Sequence, residues 1–170
     1  GIVLPIAAFA HIFGNDVLVL TGWSLMMAAV EVAVVCLVAG YFWGLRVALL
    51  SGMIIAVVPM HVILAGRSLA DAPFAAFTTL AFAALMVAER RQSVLLSAVV
   101  GVALGACWWI KPTAAVPLFF VIATYTVIFR HLDSRWLWTM IACGLMIGAE
   151  FIFLWVKFGD PLLTLGVLLP

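Results

Sequence analysis

One cation and one anion, four residues apart, interrupt a long apolar stretch of the chain: Arg67 and Asp71. On a helical path this spacing places both side chains on the same face. Pro73 follows Asp71 and suits a first helical turn, where its missing N–H has no partner to lose, and a carboxylate there accepts from free backbone amides. The turn is therefore either a capped helix with a local ion pair at a membrane surface or an anion-handling site.

Two lysines, Lys111 and Lys157, stand in comparable turns beside proline and large aromatic residues. A phosphate or pyrophosphate group binds point charges and bidentate donors. Cations gathered at one membrane face therefore favour a site for a charged lipid head group. The alternative, open for Lys157 in particular, is that the side chain only snorkels to the interface.

The elements that must hold these residues are membrane helices. Apolar residues make up 68% of the chain and charged residues 9%, and the mean hydropathy is +1.36, whereas a soluble domain carries roughly a quarter charged residues. The apolar runs are long enough for helices rather than barrel strands. We predict an all-α, polytopic transmembrane helical bundle that forms one integral-membrane domain over residues 1–170. No basic patch indicates a nucleic-acid partner.

About six spans, plus short interfacial helices, follow from the apolar runs. The spans are expected at about residues 17–40, 47–64, 72–88, 93–110, 113–129 and 136–156, after a surface-lying or re-entrant helix at 2–13. Polar connections are expected at residues 44–46, 89–92, 130–135 and 157–161. Pro59 should kink the second span. Glycines four residues apart, which let a neighbouring helix approach closely, occur in the fourth span (Gly101, Gly105) and in the sixth (Gly144, Gly148).

The cations of alternate connections divide into two sets that predict an orientation. One set is Arg46, Arg90, Arg91, Arg130 and Arg135; the other is Arg67, Lys111 and Lys157. The larger set is expected in the cytoplasm by the positive-inside rule. Asp71 and Asp160 would then join the smaller set on the extracytoplasmic face.

Three titratable residues lie within apolar spans: Glu31, His61 and Glu150. A charged group is costly there, so it should face other helices or be protonated. For Glu31 we favour a structural, hydrogen-bonded role. The alternative function is a transporter or flippase-type subunit in which the three residues form an ion or proton route, although no broken helices occupy matching positions in two halves. A scaffold that binds partner helices through its glycine faces is a further alternative.

The three cysteines, Cys36, Cys107 and Cys143, all lie in apolar runs and are expected to be packed core thiols. No cluster of oxygen or histidine ligands is visible in the sequence, so no metal and no cofactor is predicted, and metal dependence stays open.

Three ordered stretches resemble the polyprenyl-phosphate-dependent membrane glycosyltransferases of the GT-C class, the protein mannosyltransferase and aminoarabinose-transferase-like family. They are LPIAAFAHIFGND, a short helix ending in Phe-Gly; GRSLADAPFAAFTT, an arginine followed by Leu-x-Asp-x-Pro opening a helix; and GVALGACWWIKPTAAVPLFF, a Gly-x-x-x-Gly helix ending in aromatic residues and a Lys-Pro turn. The resemblance covers about residues 1–129 in order and spacing.

The resemblance implies transfer of a sugar from a lipid-linked, polyprenyl-phosphate donor to an acceptor at the extracytoplasmic face. Asp71 matches the family's second acidic position, near the catalytic site. Arg67 and Lys111 match cations that would meet the donor phosphate, and Lys157 is the further candidate from the charge pattern. The donor and membrane lipid are the implied partners; the sugar and the acceptor leave no trace in these residues.

One departure from the family pattern bears on activity. The principal catalytic carboxylate of the family precedes the short Phe-Gly helix, and Asp16 stands on the wrong side of Phe13 and Gly14 to replace it. We therefore expect an internal piece of a larger enzyme that does not catalyse alone. The scarcity of polar linkers favours a prokaryotic inner membrane.

Overall fold

The computed structural model describes residues 11, 12, 14, 17–66, 70–128 and 134–159. Every regular element in these ranges is an α-helix, which confirms the all-α class. Seven helices follow in order: α1 (Val17–Trp43), α2 (Leu45–Val57), α3 (Pro59–Ala65), α4 (Asp71–Arg91), α5 (Val94–Ile110), α6 (Pro112–Ile128) and α7 (Ser134–Phe158). Three of them contain segments long and apolar enough to cross a membrane: Thr21–Trp43, Asp71–Arg91 and Ser134–Phe158.

Each of the six expected spans coincides with helical structure, but several ends differ. The last turn of α4 contains Glu89, Arg90 and Arg91, which were expected in a loop. The two arginines favour the helix because cations near a helix C-terminus interact favourably with the helix dipole. At the other polar connections, Arg135 lies in the first turn of α7 and Lys157 in its last. The expected connections at 89–92, 130–135 and 157–161 are therefore shorter than predicted.

The second span is broken, as Pro59 predicts. Helix α2 ends at Val57, Val58 is extended with ψ of 121°, and Pro59 opens the seven-residue α3. The residue before a proline is biased towards extended backbone by the proline ring, and the proline itself lacks the N–H that a continuous helix would need. The single kinked span thus becomes two short helices.

The chain divides into two compact units, residues 2–83 and residues 84–170 together with Gly1. In the first, α1 and α2 form an antiparallel hairpin around Gly44, whose φ of 89° is readily available to glycine. Gly40 faces Ala48, and Gly52 leaves the space that the Cys36 thiol fills. The hairpin therefore packs through small residues.

In the second unit, α5 and α7 pack along their lengths, and they run parallel. Ser97 of α5 lies level with Thr139 of α7, whose hydroxyl donates to the Ser97 carbonyl over 2.8 Å. One turn further along, a side chain on Gly101 would collide with the Thr139 backbone, and one on Gly105 would collide with Met146. The close approach that the spacing of Gly101 and Gly105 predicts is confirmed.

The same spacing in the sixth span has a different outcome. A Cβ atom added at Gly144 or Gly148 would have no neighbouring heavy atom of the described residues within 4 Å. These two glycines therefore face away from α5, and α7 uses larger residues on the packed side. The single domain over residues 1–170 and the interfacial helix at 2–13 stay predictions; His11 and Ile12 of that helix are helical, and the rest of it lies outside the described residues.

Candidate functional site

Asp71 is the first residue of α4, and Pro73 is the third. Both positions fit the local chemistry, because an acidic side chain in the first turn interacts well with the helix dipole, and the amide that Pro73 lacks would have no partner inside the helix. The Phe74 N–H closes the first turn on the carbonyl of Ala70 over 3.0 Å. The helix begins at Asp71, one residue before the start at residue 72 that the sequence predicts. Asp71 itself is half-buried.

Lys111 is the single residue between α5 and α6. Its N–H donates to the Cys107 carbonyl over 2.9 Å, and its own carbonyl accepts from Ala114 and Ala115 over 3.1 and 3.0 Å. Its backbone is extended (φ −149°, ψ 81°) because Pro112 follows and opens α6. The backbone therefore belongs to both helices and holds this half-buried lysine at their junction.

Lys157 lies in the last turn of α7, where a cation complements the helix dipole. Its Nζ is 5.4 Å from the ring centroid of Phe153 and 5.7 Å from that of Phe158, within the range of a cation–π interaction. The side chain is exposed. These contacts suit a cation at an interface lined by aromatic residues, and a role towards a phosphate stays a prediction.

Lys111 and Lys157 lie at the same end of the second unit. Because α5 and α7 are parallel, the end of α5 and the end of α7 point the same way. Gly105 of α5 and Met146 of α7 lie side by side. Lys111 is six residues beyond Gly105, about 9 Å along the helix axis, and Lys157 is eleven residues beyond Met146, about 16 Å. The two cations are therefore offset by roughly 7 Å along the helix axes.

The arginines that the structure describes in this unit lie at the opposite end. Arg90 and Arg91 end α4 and are exposed, and Arg135 begins α7 and donates from Nη1 to the Ala88 carbonyl over 3.3 Å. The division of cations into two sets is thus present within this unit. In the first unit, Arg46 lies beside the hairpin turn at Gly44.

Arg135 itself differs from its predicted role. It was expected in the polar connection at residues 130–135, as one of the cations that predict the orientation, yet it lies in α7 and only 8% of its surface is exposed. A planar guanidinium next to the end of a helix can donate to the last carbonyls, which have no partner within the helix. Arg135 therefore ties the start of α7 to the end of α4. Its position in the first turn of an apolar helix was the signal available in the sequence.

Glu31 and His61 come together in the first unit. The Glu31 Oε2 lies 3.6 Å from His61 Nδ1, and the two side chains are 12% and 16% exposed, respectively. The hydroxyl of Thr79 donates to Glu31 Oε1 over 3.2 Å. The favoured, hydrogen-bonded role of Glu31 is consistent with this geometry. Thr79 was missed at the sequence level; the available signal was a pair of threonines, Thr78 and Thr79, within an apolar helix.

Glu150, the third titratable residue of the predicted spans, belongs to the second unit and is 2% exposed. One turn before it, the Met146 carbonyl accepts a hydrogen bond of 2.6 Å from Trp109 Nε1. Of the three titratable residues, Glu31 and His61 are thus in contact with each other within the first unit.

Arg67, the remaining candidate, lies outside the described residues, as do Arg130 and Asp160. The structure describes all three cysteines, and none of them forms a disulfide. Cys107 is buried, and Cys36 and Cys143 are partly buried. Within the described ranges, no three His, Cys, Asp or Glu side chains cluster closely enough to hold a metal ion.

The comparisons with known proteins address the family. A family model described as dolichyl-phosphate-mannose-protein mannosyltransferase matches residues 3–155. No curated protein and no solved structure matches the chain significantly. The family implies a membrane glycosyltransferase of the GT-C type that uses a lipid-linked sugar donor. Because the match extends over most of the 170 residues, the chain belongs to the dolichyl-phosphate-mannose-protein mannosyltransferase family.

Proposed function

We propose that this chain forms part of an enzyme that transfers a sugar from a polyprenyl-phosphate donor to an acceptor on the extracytoplasmic face of a prokaryotic inner membrane. The family match over residues 3–155 is the observation that carries the proposal. The separation of cations within the second unit supports it, since Lys111 and Lys157 are at one end and Arg90, Arg91 and Arg135 at the other.

The proposed chemistry needs a cationic site and a carboxylate. The acceptor oxygen or nitrogen attacks the anomeric carbon of the sugar, the bond from that carbon to the phosphate oxygen breaks, and the acceptor proton passes to a base. The phosphate leaves with the bonding electrons, so cations that stabilise its growing charge lower the barrier. A carboxylate within hydrogen-bond reach of the acceptor orients it or takes its proton.

In this proposal Asp71 supplies a carboxylate near the acceptor, and Arg67, Lys111 and Lys157 bind the donor phosphate. The position of Asp71 in the first turn of α4 supports its role, because a carboxylate is stabilised there by the helix dipole. The junction at Lys111 supports the second role, since the residue is anchored through its N–H and its carbonyl. The lipid tail would lie against the apolar helix faces while the phosphate stays at the boundary.

The test is sugar transfer by the full-length protein in proteoliposomes, with a radiolabelled polyprenyl-phosphate sugar and extracted membrane acceptors. Asp71→Asn and Arg67→Ala should abolish transfer with folded protein retained, and Lys111→Ala should raise the donor KM. Arg90→Ala is the matched control: an exposed arginine at the other end of α4, whose loss should change the rate by less than about twofold, as for surface sites. Near-normal turnover in both Asp71→Asn and Arg67→Ala would remove the two residues from the site.

A further inference from the structure

The carboxylate of Glu31 contacts both helices that flank the segment carrying Arg67. Its Oε2 faces His61 on α3, 3.6 Å from Nδ1, and its Oε1 accepts from the Thr79 hydroxyl on α4 over 3.2 Å. Helix α3 ends at Ala65, and α4 begins at Asp71. One side chain on α1 therefore links the helix before the segment 66–70 to the helix after it.

Helix α3 depends on this link for its position. It has only seven residues, and the break at Val58 separates it from α2. Pro59, Val62 and Ile63 are exposed, whereas His61 is mostly covered and faces Glu31. A seven-residue helix has little stability of its own, so the contact of His61 with Glu31 can contribute to where α3 lies.

The contact is also placed to act on the candidate site. His61 is four residues before Ala65, about 6 Å along the helix, and Thr79 is eight residues after Asp71, about 12 Å. The Glu31 Oε2 atom is buried and accepts no hydrogen bond from the described residues. The polar atom that faces it is His61 Nδ1, at 3.6 Å. A buried polar or charged pair is seldom more stabilising than well-packed apolar side chains, but it can define the geometry of the helices that carry it.

We propose that Glu31 is a positioning residue for the sugar transfer, which sets the spacing of α3 and α4 and, through it, the placement of Asp71 at the start of α4. The proposal rests on the proposed function. His61 and Thr79 are the two groups through which Glu31 acts, and none of the three touches the reacting atoms. Misplacement of a reacting group by about 1 Å lowers rates by about 10²-fold, so a modest change in the spacing is sufficient.

The first test measures the spacing without relying on catalysis. In the full-length protein in lipid nanodiscs, with the native cysteines replaced by alanine, spin labels are placed at Val62 and Phe82, which are exposed residues of α3 and α4. Glu31→Ala should broaden the distance distribution and shift its mean; Thr79→Val should do so less. Thr124→Val is the matched control, an exposed threonine of α6, and should change nothing. An unchanged distribution in Glu31→Ala overturns the proposal.

The second test measures transfer by the same variants without labels. Glu31→Ala should lower kcat by about 10²-fold, with the donor KM within threefold of wild type, and Glu31→Gln should recover part of kcat because its amide oxygen still accepts from Thr79. Glu31→Ala combined with His61→Ala should be no slower than Glu31→Ala alone. Equal kcat in wild type and folded Glu31→Ala overturns the positioning role and leaves the proposed function intact.

The two failures are distinguishable. If the wild-type protein transfers no sugar, the proposed function fails, and the distance measurement still decides whether Glu31 sets the spacing of α3 and α4. If Glu31→Ala does not fold, Thr79→Val carries the test, since it removes one hydrogen bond to Glu31 and keeps the contact between Glu31 and His61. A Thr79→Val protein with wild-type distances and wild-type kcat then contradicts the proposal.

Discussion

Replacing Gly101 by alanine should destabilise the protein, although alanine is the better helix former. The structure supplies the reason. A Cβ at this position would collide with the Thr139 carbonyl, and it would lie 2.9 Å from the Ala142 Cβ and 3.0 Å from the Cys143 nitrogen. Two of these three neighbours are backbone atoms of α7, which cannot rotate away as a side chain does. The helices α5 and α7 must therefore move apart.

The magnitude follows from three contributions. Overpacking costs about 1–3 kcal/mol, and separation of the helices weakens the Thr139–Ser97 hydrogen bond, worth about 1 kcal/mol. The gain in helix propensity from glycine to alanine offsets about 1 kcal/mol of this loss. The free energy of unfolding should thus fall by about 2 kcal/mol. Gly144→Ala is the matched control: no neighbour lies within 4 Å of its Cβ position, so only the propensity gain of about 0.5–1 kcal/mol remains.

The assay is equilibrium unfolding in mixed micelles, with the SDS mole fraction raised stepwise and the loss of helical circular dichroism recorded for both variants. Gly101→Ala should unfold at a lower SDS fraction than wild type, and Gly144→Ala at the same or a higher one. Equal midpoints for the two variants would refute the register of α5 against α7, and with it the inference that Lys111 and Lys157 share one end of their unit.

Two further substitutions test single features of the fold. Gly44→Ala should lower the free energy of unfolding by about 1–2 kcal/mol, because the φ of 89° is strained for residues with a Cβ. Gly148→Ala, where no positive φ is involved, should not lower it, and an unchanged value for Gly44→Ala as well would contradict this. Arg135→Met should lower the free energy of unfolding by about 1–3 kcal/mol, since the Ala88 carbonyl loses the donor that Arg135 provides. Arg90→Met, at an exposed site, should change it by no more than about 0.5 kcal/mol. Equal effects in the same unfolding assay would show that Arg135 is not a structural anchor.

The helices were predictable because apolar runs of this length have few alternatives in a membrane, where every backbone group must be satisfied internally. The break at Pro59 and the start at Asp71 were predictable from local chemistry. The end of α4 was not: Glu89, Arg90 and Arg91 read as a polar loop, yet each is a good helix former and the two arginines favour a helix C-terminus.

Contacts between residues far apart in the chain could not be predicted from the sequence. The spacing of Gly101 and Gly105 is the same as that of Gly144 and Gly148, and only packing distinguishes the face that meets a partner helix. Thr79 lies 48 residues from Glu31, so no local pattern joins them. The candidate site was predictable as a set of residue types near span ends, since charge distribution along the chain is a local property.

The central proposal is that the donor phosphate binds at the end of the second unit that carries Lys111 rather than at the end that carries Arg90 and Arg135. The most direct measurement is photocrosslinking of the full-length protein in proteoliposomes with a diazirine-bearing polyprenyl phosphate, followed by mass-spectrometric mapping of the adducts. The account predicts adducts within residues 66–75 and 108–115 that excess unlabelled polyprenyl phosphate removes. Adducts concentrated within residues 88–95 and 134–138, or insensitive to the competitor, would contradict it.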